Sequence, residues 1–444
     1  MRHINASSVK RSGFLTDGVP GFNMNLSNRL SCVAGFIPVG AKVADIGSDH
    51  GLLPVYLAKN GISSHIIAVD CNADLLNSAK KNAEKHGVED KIQFRASLGL
   101  NAVEQGEVDC VVIAGLGGET IIEILAEAPW LKSRDVKLVL QPQTKKLEML
   151  KWLWEAGFTC PAQKNVFDNK RRYKVYYVEA AMFLSVSDVF MYLSEWAPPE
   201  SKLKSDNVGL LVGRQNAQVS RVLVSLDITD DVISEAIETR ANLIVAHHPL
   251  FFSLNAVNDT KDNWGGQKAL TLAENKIAAI CMHTNMDAAA GGVNDVLAKI
   301  VGIKRPIPFG ENSLDEQFHC GRYGQVGEPC LMPEFLEKLK AALQANGLRY
   351  YDSGRPVHNV AVVGGSGDSE FKSAIDAGCD TFITGEAKYN FFLEARQRGI
   401  NLIDAGHFCT ENVISQEIAD RLSETFPKID VNVSKAHGQV VEFL

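Results

Sequence analysis

Three short apolar runs in the second half of the chain each end on imidazole or carboxyl groups. Leu243-Ile-Val-Ala246 runs into His247-His248-Pro249, and Ala278-Ala-Ile-Cys281 runs into Met282-His283-Thr284-Asn285-Met286-Asp287 and then Gly291-Gly292-Val293-Asn294-Asp295. Asn401-Leu-Ile-Asp404 runs into Ala405-Gly406-His407-Phe408-Cys409-Thr410-Glu411. Unbroken apolar runs of this length predict strands covered on both faces, and Pro249 ends the first by removing a ladder donor. The polar groups therefore fall at the carboxyl ends of strands, where open α/β sheets place their ligands.

The surrounding pattern predicts alternating strands and helices. In the second half, a strand over 221–227 is followed by Thr229 as an N-cap and a helix over 230–240. Further on come a strand over 359–363, a glycine turn over 364–367, a helix over 369–377, a strand over 381–384, a helix over 391–398 and a strand over 400–404. Two similar α/β halves are expected to share a cleft. In the first half, the spacing predicts a helix over 26–37 closed by Pro38 and Gly40, then a strand–turn–helix from Lys42 to Lys59. A strand over 64–70, a helix over 74–86, and strands that start at Asp109 and Lys137 follow. The domain boundary falls near residue 183, with no Pro- or Ser-rich linker. Residues 1–23 are polar, Gly-rich and without period, and read as an extension; Met24, just ahead of the first amphipathic helix, is an alternative start.

Neighbouring residues that leave a strand point in opposite directions, so His247 and His248 suit two ions better than one, although a pair of core or surface histidines has the same signature. Two divalent ions need imidazoles and a carboxylate able to bridge, which His247, His248, Asp287, His407 and Glu411 supply. His283 reads as a partner that orients a ligand. Gly364 to Gly367 reads more readily as a tight turn than as a phosphate cradle, and Thr384, Gly385, Glu386 and Lys388 are candidates to line the cleft. The HHP, HTNxDAAxGGVND and GHxxTE motifs, with DNVGLLVG at 206–213, resemble the NIF3-like family, the type 2 GTP cyclohydrolase I homologues, across residues 184–444. The resemblance implies a dinuclear centre on those five residues, in a ring-shaped homohexamer, and no settled reaction. With two divalent ions of zinc, iron or manganese, the enzyme expectation is metal-assisted hydrolysis, a nucleotide-like small molecule being the candidate substrate. The rival is a metal-binding scaffold without turnover. With about 120 positions separating Asp287 from His407, the chain resembles the short family form without an inserted domain.

The front half carries different chemistry. Asp45, Gly47, Asp49 and Gly51 form a glycine-punctuated turn between strand and helix, and Asp70 ends the next strand where a carboxylate can take both ribose hydroxyls. A dinucleotide site wants three glycines; S-adenosylmethionine carries no pyrophosphate and tolerates this looser pattern. Gly115-Leu116-Gly117-Gly118 opens another helix, and Gln141-Pro142-Gln143 ends another strand. ADIGSDHGLLP at 44–54 and IAGLGG at 113–118 resemble the bacterial tRNA (adenine(22)-N(1))-methyltransferases over residues 24–182. That likeness implies a Rossmann-like class I methyltransferase domain, with S-adenosyl-L-methionine held by Asp45, Gly47, Asp49, Gly51, Asp70 and Gly115. It implies tRNA as partner, its adenine facing Gly117, Gly118, Gln141 and Gln143. No side chain stands out as a catalytic base. Leu98 stands where that family has a carboxylate near the cofactor, Gln143 replaces an asparagine, and the family's helical tail is missing. Two basic clusters, Lys145-Lys146 with Lys151 and Lys170-Arg171-Arg172 with Lys174 beside Tyr173, Tyr176 and Tyr177, are candidates for phosphate contact and base stacking, against a plain solvated hairpin.

Bulk properties narrow the class. A chain of 444 residues exceeds one compact core, and no apolar run reaches the ~18 residues of a membrane span. Nine cysteines, scattered and never in a CxxC pair, suit reduced thiols, and the absence of a signal-peptide core suits the cytoplasm. The net charge of −8 is uneven: residues 1–182 hold 22 Lys+Arg against 19 Asp+Glu, leaving 23 against 34 for the rest, so the front is the likelier face for a polyanion.

Overall fold

The computed structural model describes residues 26–133, 135–253, 256–310 and 319–444. The extension over 1–23 and the alternative start at Met24 lie outside the described residues. The chain divides into two compact units, one ending at Leu184 and the other beginning at Ser185.

The first unit is a seven-stranded sheet built from β1 (Val43–Ile46), β2 (Ile66–Asp70), β3 (Ile92–Ala96), β4 (Cys110–Leu116), β5 (Lys137–Pro142), β6 (Phe158–Asp168) and β7 (Arg171–Ala180), in the order β3-β2-β1-β4-β5-β7-β6. The first five are parallel, and β7 and β6 close the edge as an antiparallel hairpin. β1 and β2 are buried at every position, as strands covered on both faces must be. The order reverses at β1 and β4, so their carboxyl ends open the crevice where a ligand can sit. The first helix is shorter than its pattern suggested, Asn28–Ala34, because the Ser27 hydroxyl caps it and Gly35 ends it. Tyr176 and Tyr177 point into the core, 0% and 9% exposed, so they cannot stack on bases. Their strand is central enough for both sides to be covered.

The second unit holds two sheets. β8 (Gly209–Val212), β9 (Arg221–Ser225), β10 (Leu243–Ala246), β11 (Ala278–Cys281) and β18 (Asp430–Val433) form one, in the order β18-β9-β10-β11-β8. β12 (Ile303–Phe309), β13 (Gly321–Cys330), β14 (Arg349–Tyr351), β15 (Val357–Val363), β16 (Thr381–Thr384) and β17 (Asn401–Asp404) form the other, in the order β12-β13-β15-β16-β17-β14. In each, three strands run parallel at the centre, β9-β10-β11 and β15-β16-β17. The halves are not sequential, because the last strand returns to lie parallel beside β9. Among the described residues no helix is long and apolar enough to cross a membrane. None of the nine cysteines forms a disulfide.

The unit opens with a capping box: the Ser185 hydroxyl accepts the Asp188 N–H, and the Asp188 carboxylate accepts from the Ser185 backbone. Both side chains are buried. Ser185→Ala should lower the stability of this unit by about 1–2 kcal/mol in urea unfolding; an unchanged midpoint would show the cap to be idle.

Candidate functional site

β10 ends at Ala246, and the backbone bends at His247 and His248 rather than continuing the pleat. The two N–H groups bond Ser225 and Leu226 carbonyls of the neighbouring β9 turn. The bend corrects the expectation of opposed imidazoles: their ring centroids lie 5.1 Å apart, inclined by 44°. His283 leaves β11 and leads the short helix Thr284–Ala288, which carries Asp287. His407 and Glu411 stand four residues apart on the helix His407–Glu411, and so share one face.

These elements converge on one carboxylate. The Glu411 Oε2 atom lies 2.8 Å from His248 Nε2, 2.8 Å from His407 Nε2 and 3.9 Å from His247 Nε2. His247 Nε2 lies 3.5 Å from Asp287 Oδ1. The potential ligand atoms fall into three overlapping groups, each within 4.8 Å: His247 with Asp287 and Glu411, His248 with His407 and Glu411, and His247 with His248 and His283. All five sequence-picked ligands come together. His283, read from sequence only as an orienting partner, stands among them.

On the far side of each ring an oxygen holds Nδ1. His247 donates to the Met282 carbonyl at 2.8 Å, His248 to Asp227 at 2.8 Å, His407 to Glu386 at 3.0 Å and His283 to Asp206 at 2.8 Å. A carbonyl or an ionised carboxylate can only accept, so every Nδ1 carries the proton and every Nε2 is free to face inward. Metal-ligating histidines show this arrangement. Glu386 was expected to line the cleft and instead braces His407 from outside, while Lys388 pairs with Asp368 and buried Thr384 braces the glycine turn through the Gly365 carbonyl and the Gly367 N–H.

The electrostatics fit a missing positive charge. Burial pushes the His247 imidazole down to about 3 and, with the Glu411 charge beside it, lifts the Asp287 carboxyl to about 7. Burial also disfavours charge on His248, His407 and Glu411, but hydrogen bonds win: those to Asp227 and Glu411 lift His248 to about 10, those to Glu411 and Glu386 lift His407 to about 9, and the two imidazoles hold the Glu411 carboxyl well below its usual range. His247 Nε2 and Asp287 Oδ1 are both buried without a hydrogen-bond partner. Orphaned atoms of that kind are costly unless something else satisfies them, and the set of imidazole nitrogen and carboxylate oxygen suits two divalent cations.

Glycine 365 shows how closely the centre is fitted. Its φ is +62°, and a Cβ there would lie 2.0 Å from Glu411 Oε1. The 364–367 turn thus makes room for the Glu411 carboxylate, held by the Gly364 N–H to Asn294 and the Gly365 N–H to Thr410. Asn294 in turn donates to the Asp287 carbonyl, which accounts for that part of the HTNxDAAxGGVND motif. The centre opens on a cavity of about 730 Å³ whose wall includes Leu203, Phe252, His283, Cys320, Ser366 and Glu370.

In the first unit, a cavity of about 340 Å³ is lined by Asp45, Gly47, Asp49, Asp70, Gly115 and Gln143, among others. The Asp70 carboxylate accepts N–H groups from Asp49 and Asn72. Asp45 accepts the Ser48 hydroxyl, and burial pushes its carboxyl up to about 6. Four expected residues are absent from the wall. A Cβ on Gly51 would press on Ala79 at 2.8 Å, and one on Gly118 would press on the Lys145 carbonyl at 2.4 Å, so both serve close packing. Gly117, next to Gly118 in the chain, lies against Thr144, whose hydroxyl a Cβ would meet at 3.3 Å. Gln141 is fully buried, because β5 keeps pairing with β4 through Pro142; it accepts from Arg29 Nη1 at 2.7 Å. Arg29, which lines the cavity and lies 5.9 Å from the Tyr173 ring centroid, was not read from sequence. Leu98 is 70% exposed and outside the wall.

Gly365→Ala should expel Glu411 and lower metal content per chain in elemental analysis; wild-type content would contradict the fitted contact. Asp45 has a folded value above its ordinary 3.8, so its penalty grows as pH rises from there through about 6. Asp45→Asn should therefore raise stability by on the order of 3 kcal/mol at pH 7.5 and by almost nothing at pH 3.5. An equal gain at both would contradict the buried charge.

Residues 184–439 match the family model of Duf34/NIF3 (NGG1p interacting factor 3), and residues 26–176 match a methyltransferase-domain model. A GTP cyclohydrolase 1 type 2 homolog of Clostridium perfringens is 32% identical over 263 residues, which is 59% of this chain and all of that protein. The crystal structure of Staphylococcus aureus protein SA1388 is 26% identical with a TM-score of 0.54, over 59% of this chain and 99% of that one. That of the B. subtilis M1A22 tRNA methyltransferase TrmK is 25% identical with a TM-score of 0.35, over 57% of this chain and 96% of that one. The chain belongs to the Duf34/NIF3 family, and it carries a methyltransferase domain fused ahead of the family domain.

Proposed function

We propose that the second unit is a two-metal hydrolase of a nucleotide-like small molecule, and that the first transfers a methyl group from S-adenosylmethionine to adenine N1 of tRNA. One observation carries the first part: three imidazole Nε2 atoms and the Asp287 carboxylate gather around Glu411 at the floor of an open cavity. Two ions of zinc, iron or manganese bound there would lower the pKa of a shared water and polarise the scissile bond. The chain's own groups do the rest. Asp227, Glu386 and the Met282 carbonyl keep the rings turned inward. Phe252, 64% exposed at the cavity wall and edge-on to His283, offers an apolar face to a flat base.

In the first unit, S-adenosylmethionine would supply an electrophilic methyl group, and the pinned Asp70 carboxylate suits its ribose hydroxyls. An RNA partner is supported by the hairpin tip, where Lys170, Arg171 and Arg172 are exposed and Arg172 covers the exposed Phe167 ring at 5.1 Å. The Phe167 carbonyl accepts from Asn28, and Asp168 accepts the Arg29 N–H, so the tip is tied to the helix that borders the cavity. Such exposed cations supply phosphate contact. A homohexamer in the cytoplasm belongs to the same reading and draws on the family resemblance and on cysteines that form no disulfide.

Burial of Gln141 under Arg29 favours a second reading of the front unit, as a domain that binds cofactor without transferring its methyl group. Labelled cofactor with unmodified tRNA separates them. Transfer that disappears in Asp70→Ala supports the methyltransferase, and no transfer at saturating cofactor rejects it. For the rear unit, GTP and related nucleotides should turn over with the metal-loaded protein and fall to background in His247→Ala. Bound metal without turnover of any nucleotide would leave a scaffold.

A further inference from the structure

The chain's last segment runs across the outside of the metal centre. After β18, Ser434 and the backbone N–H groups of Lys435 and Ala436 all bond the Glu235 carboxylate, on the helix Asp230–Thr239 of the first sheet's layer. Farther along, Gln439 exchanges hydrogen bonds with the Gln344 carbonyl and the Asn346 N–H, the Asn346 side chain donates to the Val441 carbonyl, and the Phe443 ring covers Gly347 so closely that a Cβ there would lie 2.5 Å from it. These partners follow the helix Met332–Ala342, which packs on the other sheet. The segment is thus fastened to both halves of the unit whose opposite strand ends supply the ligands.

Between the two fastenings lies His437. Its Nε2 donates to Asp227 Oδ2 at 2.8 Å, while Asp227 Oδ1 takes the His248 Nδ1 proton at 2.8 Å. Its ring meets Phe408 edge-on at 5.1 Å, and Phe408 is the neighbour of His407 on the ligand helix. The side chain is 11% exposed. One imidazole from the chain's end therefore touches the support of His248 and the element that carries His407 and Glu411.

We infer that segment 434–443 is a strap of the metal centre and that His437 is its positioning residue, holding Asp227 so that His248 presents Nε2 to the ion shared with His407 and Glu411. The inference rests on the metal-centre reading. Without the His437 donor, Asp227 is free to turn toward water and His248 loses a fixed direction. Outer partners of this kind alter metal affinity by roughly 10–100-fold.

The test uses the full chain and titrates Zn²⁺ against a chromophoric chelator, with thermal melting alongside. The wild type should bind two ions. His437→Ala and His437→Phe should each weaken one of the two by roughly 10–100-fold and leave the other unchanged. His437→Gln, whose amide can still donate to Asp227, should recover most of that affinity. Phenylalanine keeps the packing on Phe408 but cannot donate, so a purely structural role predicts the reverse ranking, with Phe near the wild type and Gln impaired. Wild-type affinity for both ions in the Phe variant, or equal weakening in Phe and Gln, overturns the strap. A wild type that binds no Zn²⁺ overturns the metal centre itself.

Discussion

A single buried carboxylate organises the second unit. Glu411 is 4% exposed, and one of its oxygens sits within hydrogen-bond distance of two imidazoles that arrive from different sheets. A charge so placed is expensive unless it is paired or bound to metal, and much of the nearby sequence meets that demand. Gly365 gives up its side chain to admit the carboxylate, Asn294 clamps the turn that holds it, and the His407–Glu411 helix starts where β17 ends so that both ligands fall on one face.

The next tier is as constrained as the first. Four imidazoles surround the centre, and each has its outer nitrogen held by an oxygen from a different stretch of chain. Removing any one leaves a ring able to rotate or change tautomer, which matters because the ligand atom is on the opposite side. Burial works in the same direction: His247 is fully enclosed and kept neutral, the form in which an imidazole coordinates.

The clustered imidazoles and carboxylates were legible because each follows a short apolar strand, and strand ends are where the ligand sites of an α/β sheet gather. Strand β16 could be read from residue pattern alone. The supporting residues could not. Asp206, Asp227 and His437 lie 77, 21 and 210 positions from the groups they hold, and no local period records such pairs. The return of β18 to the first sheet was hidden for the same reason. In the front unit the turn glycines were legible as such, but the close packing that Gly51 and Gly118 meet was not, because it depends on Ala79 and the Lys145 carbonyl coming near from elsewhere. Gln141 looked available until Arg29, 112 positions away, was seen to occupy it.

In the proposed function two cations share the Glu411 carboxylate. Anomalous diffraction from crystals of the native protein, recorded at the absorption edge of the metal it carries, tests that most directly. Two peaks per chain are expected, one among His247, Asp287 and Glu411 and the other among His248, His407 and Glu411. Density for ordered water alone at both positions, or a metal bound elsewhere, would contradict it.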